Sequence, residues 1–155
     1  MSAVVGCCIE ANKAALKLAG TSNKYRNGML LAMAEGILAA ESEILKANAI
    51  DLEEAAKRGK DKAFLDRLAL SKARIKDMAD GVKAVAALPD PIGEITESWT
   101  VANGLKIKKV RVPIGSIAII YEARPNVTAD AAALCIKSGN AIVLKGSRDA
   151  HESNT

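Results

Sequence analysis

The sequence predicts an α/β fold in which helices come first, a β-hairpin follows and a single βαβ unit closes the chain. Three observations carry this. Between Cys8 and Leu88 apolar residues recur at three- and four-residue steps, the period of amphipathic helices. Asn103-Gly104 sits between two extended runs, a strong short-range hairpin signal. Two continuously apolar runs, 116–121 and 141–144, bracket a helical segment, as parallel strands joined by a crossover do.

Composition sets the bounds on this fold. With 155 residues, 50% apolar and 26% charged, the chain can bury a core, as one domain or as part of something larger. Its aromatic residues are Tyr25, Phe64, Trp99 and Tyr121, too few for a base-stacking platform. A net charge of +4 is small and dispersed, so nucleic acid is an unpromising partner. No apolar run approaches the roughly 18 residues of a membrane span, and the first residues lack a basic stretch before their short apolar one. The expectation is a soluble, cytoplasmic protein that engages no membrane. Three cysteines without C-x-x-C spacing and a lone histidine argue against disulfides and structural metals.

Taken in order, Lys24 to Ala40 places Tyr25, Met29, Ala32, Met33 and Ile37 on one face, after cap candidates Thr21, Ser22 and Asn23. Ser42 to Arg58 points Ile44, Leu45, Leu52, Ala55 and Ala56 inward. Asn48 intrudes on that stripe as a satisfied core amide, and Gly59 ends the helix. Ser71 caps the clearest segment, whose stripe is Ile75, Met78, Ala79, Val82, Val85 and Ala86. Pro89 and Pro91 stop it, because proline has no donor and disfavours helix in the residue before it.

Glu94 to Val101 and Leu105 to Val112 read as the ribbon, with positive φ expected at both Asn103 and Gly104. Leu105 and Ile107 differ in parity from Val110 and Val112, which predicts a bulge near Lys108 and Lys109. Lys106, Lys108, Lys109 and Arg111 suit a solvated edge better than a binding stripe. The run 116–121 reads as a strand buried on both faces. Val127, Ala131, Leu134, Cys135 and Ser138 mark one side of the following helix, with Thr128 as its cap and Gly139 as its end. A right-handed crossover would put the two strands' carboxyl ends together.

Ligands of open α/β sheets settle outside those ends. Here the ends carry Glu122-Ala123-Arg124-Pro125-Asn126 and Lys145-Gly146-Ser147-Arg148. Lys145 offers a point charge and Arg124 or Arg148 a fork for phosphate oxygens, while Gly146 permits close backbone approach. Solvated surface charges at a strand end fit the same spacing equally well. Neither G-x-G-x-x-G nor a P-loop is present. Cys135 lies on an apolar helix face and reads as a buried structural thiol. Cys7 and Cys8 fall near a fraying terminus, and Ser147, Asp149 and His151 stand too close in sequence for triad geometry.

From Val112-Pro113-Ile114-Gly115 through Tyr121-Glu122-Ala123-Arg124-Pro125-Asn126-Val127-Thr128 and on to Asp130–Asn140, the sequence resembles the gamma-glutamyl phosphate reductase family, a branch of the aldehyde dehydrogenase superfamily. Asp66-Arg67-Leu68, the 86–93 linker and Trp99 extend the likeness over nearly the whole chain. The resemblance implies NADPH-dependent reduction of gamma-glutamyl phosphate to glutamate 5-semialdehyde with release of phosphate, in proline biosynthesis. It implies an N-terminal fragment, inactive alone, because the family's nucleophilic cysteine lies beyond it; no catalytic residue and no metal site are expected within it. On this reading 1–93 is the helical part of a Rossmann-like cofactor domain of the aldehyde dehydrogenase type. Residues 94–112 form an oligomerisation hairpin, and 113–155 the first, incomplete βαβ unit of the NADPH-binding domain. Lys145 matches the superfamily lysine at the adenosine ribose, beside Gly146, Ser147 and Arg148, and the 122–126 loop faces substrate or cofactor. The implied partners are the small-molecule substrate and further copies of the full-length protein, with an association with glutamate 5-kinase left open. The competing reading is a noncatalytic oligomerisation or binding module.

Overall fold

The computed structural model describes residues 2–155. Five helices come first, α1 (Ala3–Ala19), α2 (Asn23–Ala39), α3 (Glu41–Lys57), α4 (Lys62–Leu68) and α5 (Lys72–Ala87). The antiparallel pair β1 (Ile95–Thr100) and β2 (Lys106–Val110) follows, then β3 (Ser116–Ile120), α6 (Asn126–Lys137) and β4 (Ala141–Lys145). Two 3-10 turns, Arg148–Ala150 and Glu152–Asn154, end the chain.

The main core gathers Leu30 and Ala34 of α2, Ala79, Val82 and Ala86 of α5, and Ala129 and Ala133 of α6. Small side chains let the helices approach closely, which is how a chain poor in aromatics fills its interior. Ser71 caps α5 by accepting from the Arg74 amide at 3.2 Å, and the buried α5 face is the predicted one. Ser22 caps α2 in the same way through the Tyr25 amide. Around α2 the predicted face is rotated: Arg26, Leu30 and Ala34 are buried, while Tyr25 and Met29 are exposed. Both flanks of this helix are apolar, so periodicity could not choose between them. The Arg26 guanidinium decides it by donating to both Asp90 oxygens, at 2.8 and 2.7 Å, in the loop after α5.

On α3 the buried residues are Asn48, Asp51 and Ala55, and Ala56 is exposed rather than inward. Asn48 is the satisfied amide expected of it, donating to the Leu68 carbonyl at 2.9 Å and accepting from the Leu70 amide at 2.7 Å. The short helix α4 had no visible period; Asp61 caps it through the Phe64 amide at 2.7 Å. Helix α1 begins at Ala3, ahead of the expected start, so Cys7 and Cys8 are exposed positions on a helix and not part of a frayed end.

The ribbon differs from expectation at both ends. Gly104 has φ +85°, but among the described residues none other than glycine has positive φ, so Asn103 is not in a two-residue primed turn. The loop is Ala102-Asn103-Gly104. Gly104 donates to the Val101 carbonyl at 2.8 Å, Val101 donates to Leu105 at 3.0 Å, and the Asn103 side chain accepts from the Leu105 amide. This is a type I turn completed by a left-handed glycine, the usual three-residue hairpin. The bulge lies on β1, where Ile95 pairs Val110 and Glu97 pairs Lys109, and not at Lys108 and Lys109 on β2. The basic residues form a solvated edge, with Lys109 bridged to Glu97 at 3.1 Å and Arg111 to Glu94 at 2.9 Å.

Strands β3 and β4 pair in parallel from Ser116↔Ala141 to Ile120↔Lys145, the predicted βαβ unit. Ala11 and Ala15 of α1 cover Ala141 and Val143, and α6 also contacts β4. Burial of β3 on both faces is not observed: Ala118 is exposed and Ile120 is 84% exposed, because the sheet has only two strands here. Helix α6 is ended by Gly139, but Pro125 occupies its N-cap position, and Leu134 is exposed. Thr128 does not cap it, since its hydroxyl contacts the Tyr121 hydroxyl at 2.6 Å and Asn154 at 2.7 Å instead.

Candidate strand-end site

The carboxyl ends of β3 and β4 lie side by side, tied by the Tyr121 amide donating to the Lys145 carbonyl at 3.1 Å. Lys145, Gly146, Ser147 and Arg148 come together there, in a cleft of about 310 Å³ that also includes Tyr121, His151 and Asn154. A larger cleft of about 1080 Å³ shares Lys145, Ser147 and Arg148 and extends to Asp51 and Arg58. Lys145 is exposed, and among the described residues its ammonium donates only to the Gly146 carbonyl, at 2.8 Å. Arg148 is exposed without an ion pair among the described residues.

Gly146 earns its place by contact. A β-carbon there would stand 2.6 Å from the Asn154 amide nitrogen and 3.2 Å from the Tyr121 hydroxyl. That same Asn154 nitrogen is buried without a hydrogen-bond partner. The wall behind it is fixed by Asp51, which accepts from the Glu152 and Ser153 amides at 3.1 and 2.8 Å and so caps the last turn.

Ser147 caps the first 3-10 turn by accepting from the Asp149 amide at 3.2 Å. Burial alone would raise the Asp149 carboxyl. Hydrogen bonds from Lys60 and Ser147, together with the charges of Lys60 and Arg58, outweigh it and hold the pKa below its ordinary value. His151 makes no side-chain hydrogen bond to Ser147, so the serine, histidine and aspartate do not form a relay.

The 122–126 loop faces elsewhere. Ala123 and Pro125 are buried and anchor it, Ala123 against Ala55, Leu68 and Ala150. Glu122 and Arg124 are exposed, and Asn126 donates to Asp130 at 3.1 Å. Arg124 lines two clefts together with Arg67 of α4, and only Tyr121 links the smaller of these to the Lys145 side. The sequence grouped the loop with Lys145–Arg148 as one region, whereas the structure divides them. Arg67, Tyr121 and Asn154 were not foreseen at the site; Arg67 stood only within the Asp66–Leu68 likeness.

Cys135 is buried, and desolvation pushes its thiol up from the ordinary range, which suits a structural role. Among the described residues no group of three or more potential ligands could hold a metal ion, and no helix is long and apolar enough to cross a membrane.

Helices packed on a parallel strand pair, with clefts of mixed charge at its carboxyl ends, define an α/β protein. No protein-family model matches the chain. It is 52% identical over 155 residues to a gamma-glutamyl phosphate reductase of Clostridium kluyveri, covering 97% of this chain and 37% of that relative. A gamma-glutamyl phosphate reductase of Heliobacterium modesticaldum is 53% identical over 145 residues. The crystal structure of the Thermotoga maritima gamma-glutamyl phosphate reductase superposes with a TM-score of 0.94 at 41% identity, over 99% of this chain and 37% of that one. The Saccharomyces cerevisiae counterpart gives 0.93 at 36% identity. The chain is therefore a homologue of the gamma-glutamyl phosphate reductases over almost its whole length, and spans about 37% of theirs.

Proposed function

We propose that these residues are the nucleotide-holding part of an NADPH-dependent reductase that converts gamma-glutamyl phosphate to glutamate 5-semialdehyde and phosphate. The observation that supports this is 52% identity across 97% of the chain to relatives bearing that name. On this reading residues 113–155 begin a Rossmann-like cofactor unit, residues 1–93 pack its helices, and 94–112 is a subunit contact. The exposed Ile95, Trp99 and Val110 of the ribbon support the last assignment, since an isolated two-stranded ribbon needs a surface to cover it.

The strand-end residues fit a phosphorylated nucleotide. Lys145 and Arg148 are exposed cations without carboxylate partners among the described residues, and Ser147 adds a hydroxyl. Gly146 keeps the wall thin where a β-carbon would collide with Asn154. Lys145 would hold a ribose or its 2′-phosphate, Arg148 a phosphate oxygen, and Tyr121 would shape the floor. Bound NADPH supplies a hydride. The chain's own part is to bind and orient; Cys135 is buried and lines none of the strand-end clefts.

The test uses a protein of the relatives' full length carrying this sequence, run in reverse. Glutamate 5-semialdehyde should reduce NADP+ only when phosphate is present. Reduction without phosphate, or none at all, refutes the proposal.

A further inference from the structure

We infer that the cleft between α4, α5 and the 122–126 loop holds an α-amino-acid head, with its carboxylate on Arg67 and Arg124 and its ammonium on Asp77 and Asp130. This rests on the reading above, because a gamma-glutamyl substrate carries such a head.

Internal pairing of charges shows what the cleft leaves free. Arg26, Arg58, Arg74 and Arg111 are all ion-paired within the chain. Arg67, Arg124 and Arg148 have no carboxylate partner among the described residues, and all three line clefts at the strand ends. Arg67 and Arg124 share two clefts, one of about 370 Å³. They are brought together by apolar packing: Leu68, beside Arg67, is buried in the same cluster as Ala123, beside Arg124. The Phe64 ring backs the Arg67 guanidinium at 5.9 Å. Two forks so held can each take both oxygens of a carboxylate.

The acids of the larger cleft divide in the same way. Asp66 is engaged by Arg74 at 3.1 Å. Asp130 meets only the neutral Asn126 amide, and Asp77 forms no ion pair among the described residues. Two guanidiniums and two carboxylates thus remain. A simple anion meets the carboxylates and a simple cation the guanidiniums; a dipolar ion satisfies both signs. The larger cleft meets the smaller one at Arg67 and Arg124, and the smaller one meets the Lys145 cleft at Tyr121, so the subsite is separated from the proposed nucleotide position by one intervening cleft.

The test is amide-shift NMR on the ¹⁵N-labelled 155-residue chain, titrated separately with L-glutamate, glutarate and inorganic phosphate. L-Glutamate should shift Arg67, Asp77 and 124–126, and bind about threefold or more tighter than the other two. Arg67→Gln and Arg124→Gln, both at exposed positions, should each weaken it about fivefold or more with the remaining spectrum unchanged. Asp77→Asn should weaken L-glutamate and spare glutarate. Equal affinity for all three probes, indifference to both arginine variants, shifts confined to 145–148, or no shifts at all would overturn the assignment. In the full-length enzyme, unchanged KM in Arg67→Gln with phosphate-dependent turnover intact removes this subsite alone, whereas absent turnover in the unmutated enzyme removes the reductase reading.

Discussion

Arg26 and Asp90 meet through two parallel hydrogen bonds of 2.8 and 2.7 Å, although 64 residues separate them, and the guanidinium is almost completely buried. Asp90 also accepts from the Ile92 amide at 3.1 Å, so one carboxylate both fixes the face of α2 and shapes the turn that leads into the ribbon. Removing Asp90 would strand a buried charge. Asp90→Ala should cost about 3–5 kcal/mol in urea unfolding. A loss below about 1 kcal/mol would show that the pair does not set the packing of α2.

Lys137 is a second buried cation, and its ammonium donates to Asn23, Asn27 and the Ala86 carbonyl at 3.2, 2.8 and 2.9 Å. Burial pulls its pKa below the ordinary lysine value, with nearby Asp90 opposing and Arg26 adding to the effect. Lys137→Met should lower stability by about 1–3 kcal/mol, because three acceptors lose their donor. Thermal unfolding at neutral pH checks this.

What the sequence disclosed follows from the range of each interaction. Ser71, Gly59 and Gly139 act on neighbouring backbone, and their helix ends fall where local chemistry puts them. The α5 stripe was legible because its opposite face is polar. Arg26 and Lys137 were not, since a buried cation is recognisable only through partners far along the chain. The strand-end residues could be located from the βαβ pattern, but the separate clefts that Arg124 forms with Arg67 depend on α4, which is too short to show a period. Burial of β3 on both faces failed because it requires neighbouring strands that these residues do not supply.

Asp149 gives a pH prediction with a definite sign. Its folded pKa lies below the ordinary 3.8, so its stabilisation is present in full above that value and is lost as pH falls through the folded pKa. Its partners Arg58 and Lys60 are partly exposed, so screening limits the effect to about 0.5–1 kcal/mol. The Tm gap between the wild type and Asp149→Asn should stay constant from neutral pH down to about 5 and then close in more acidic solution. A gap that widens on acidification contradicts this account.

The ribbon prediction concerns assembly. In a full-length enzyme, deleting 94–112 should reduce the oligomer mass seen by sedimentation while the helical signal is retained. An unchanged mass in a folded deletion variant would leave the ribbon without a role as subunit contact.

The central claim is that the end of β4 holds the nucleotide, and Lys145→Ala in the full-length protein tests it most directly. Loss of one charged contact should weaken NADPH by about 1.5–3 kcal/mol, roughly tenfold or more, while NADH, which lacks the 2′-phosphate, changes less. Titration of both nucleotides against both proteins gives the answer. A marked fall in the preference for NADPH is the expected result; wild-type affinities for both, in an unchanged ratio, would make Lys145 a surface charge and the assignment wrong.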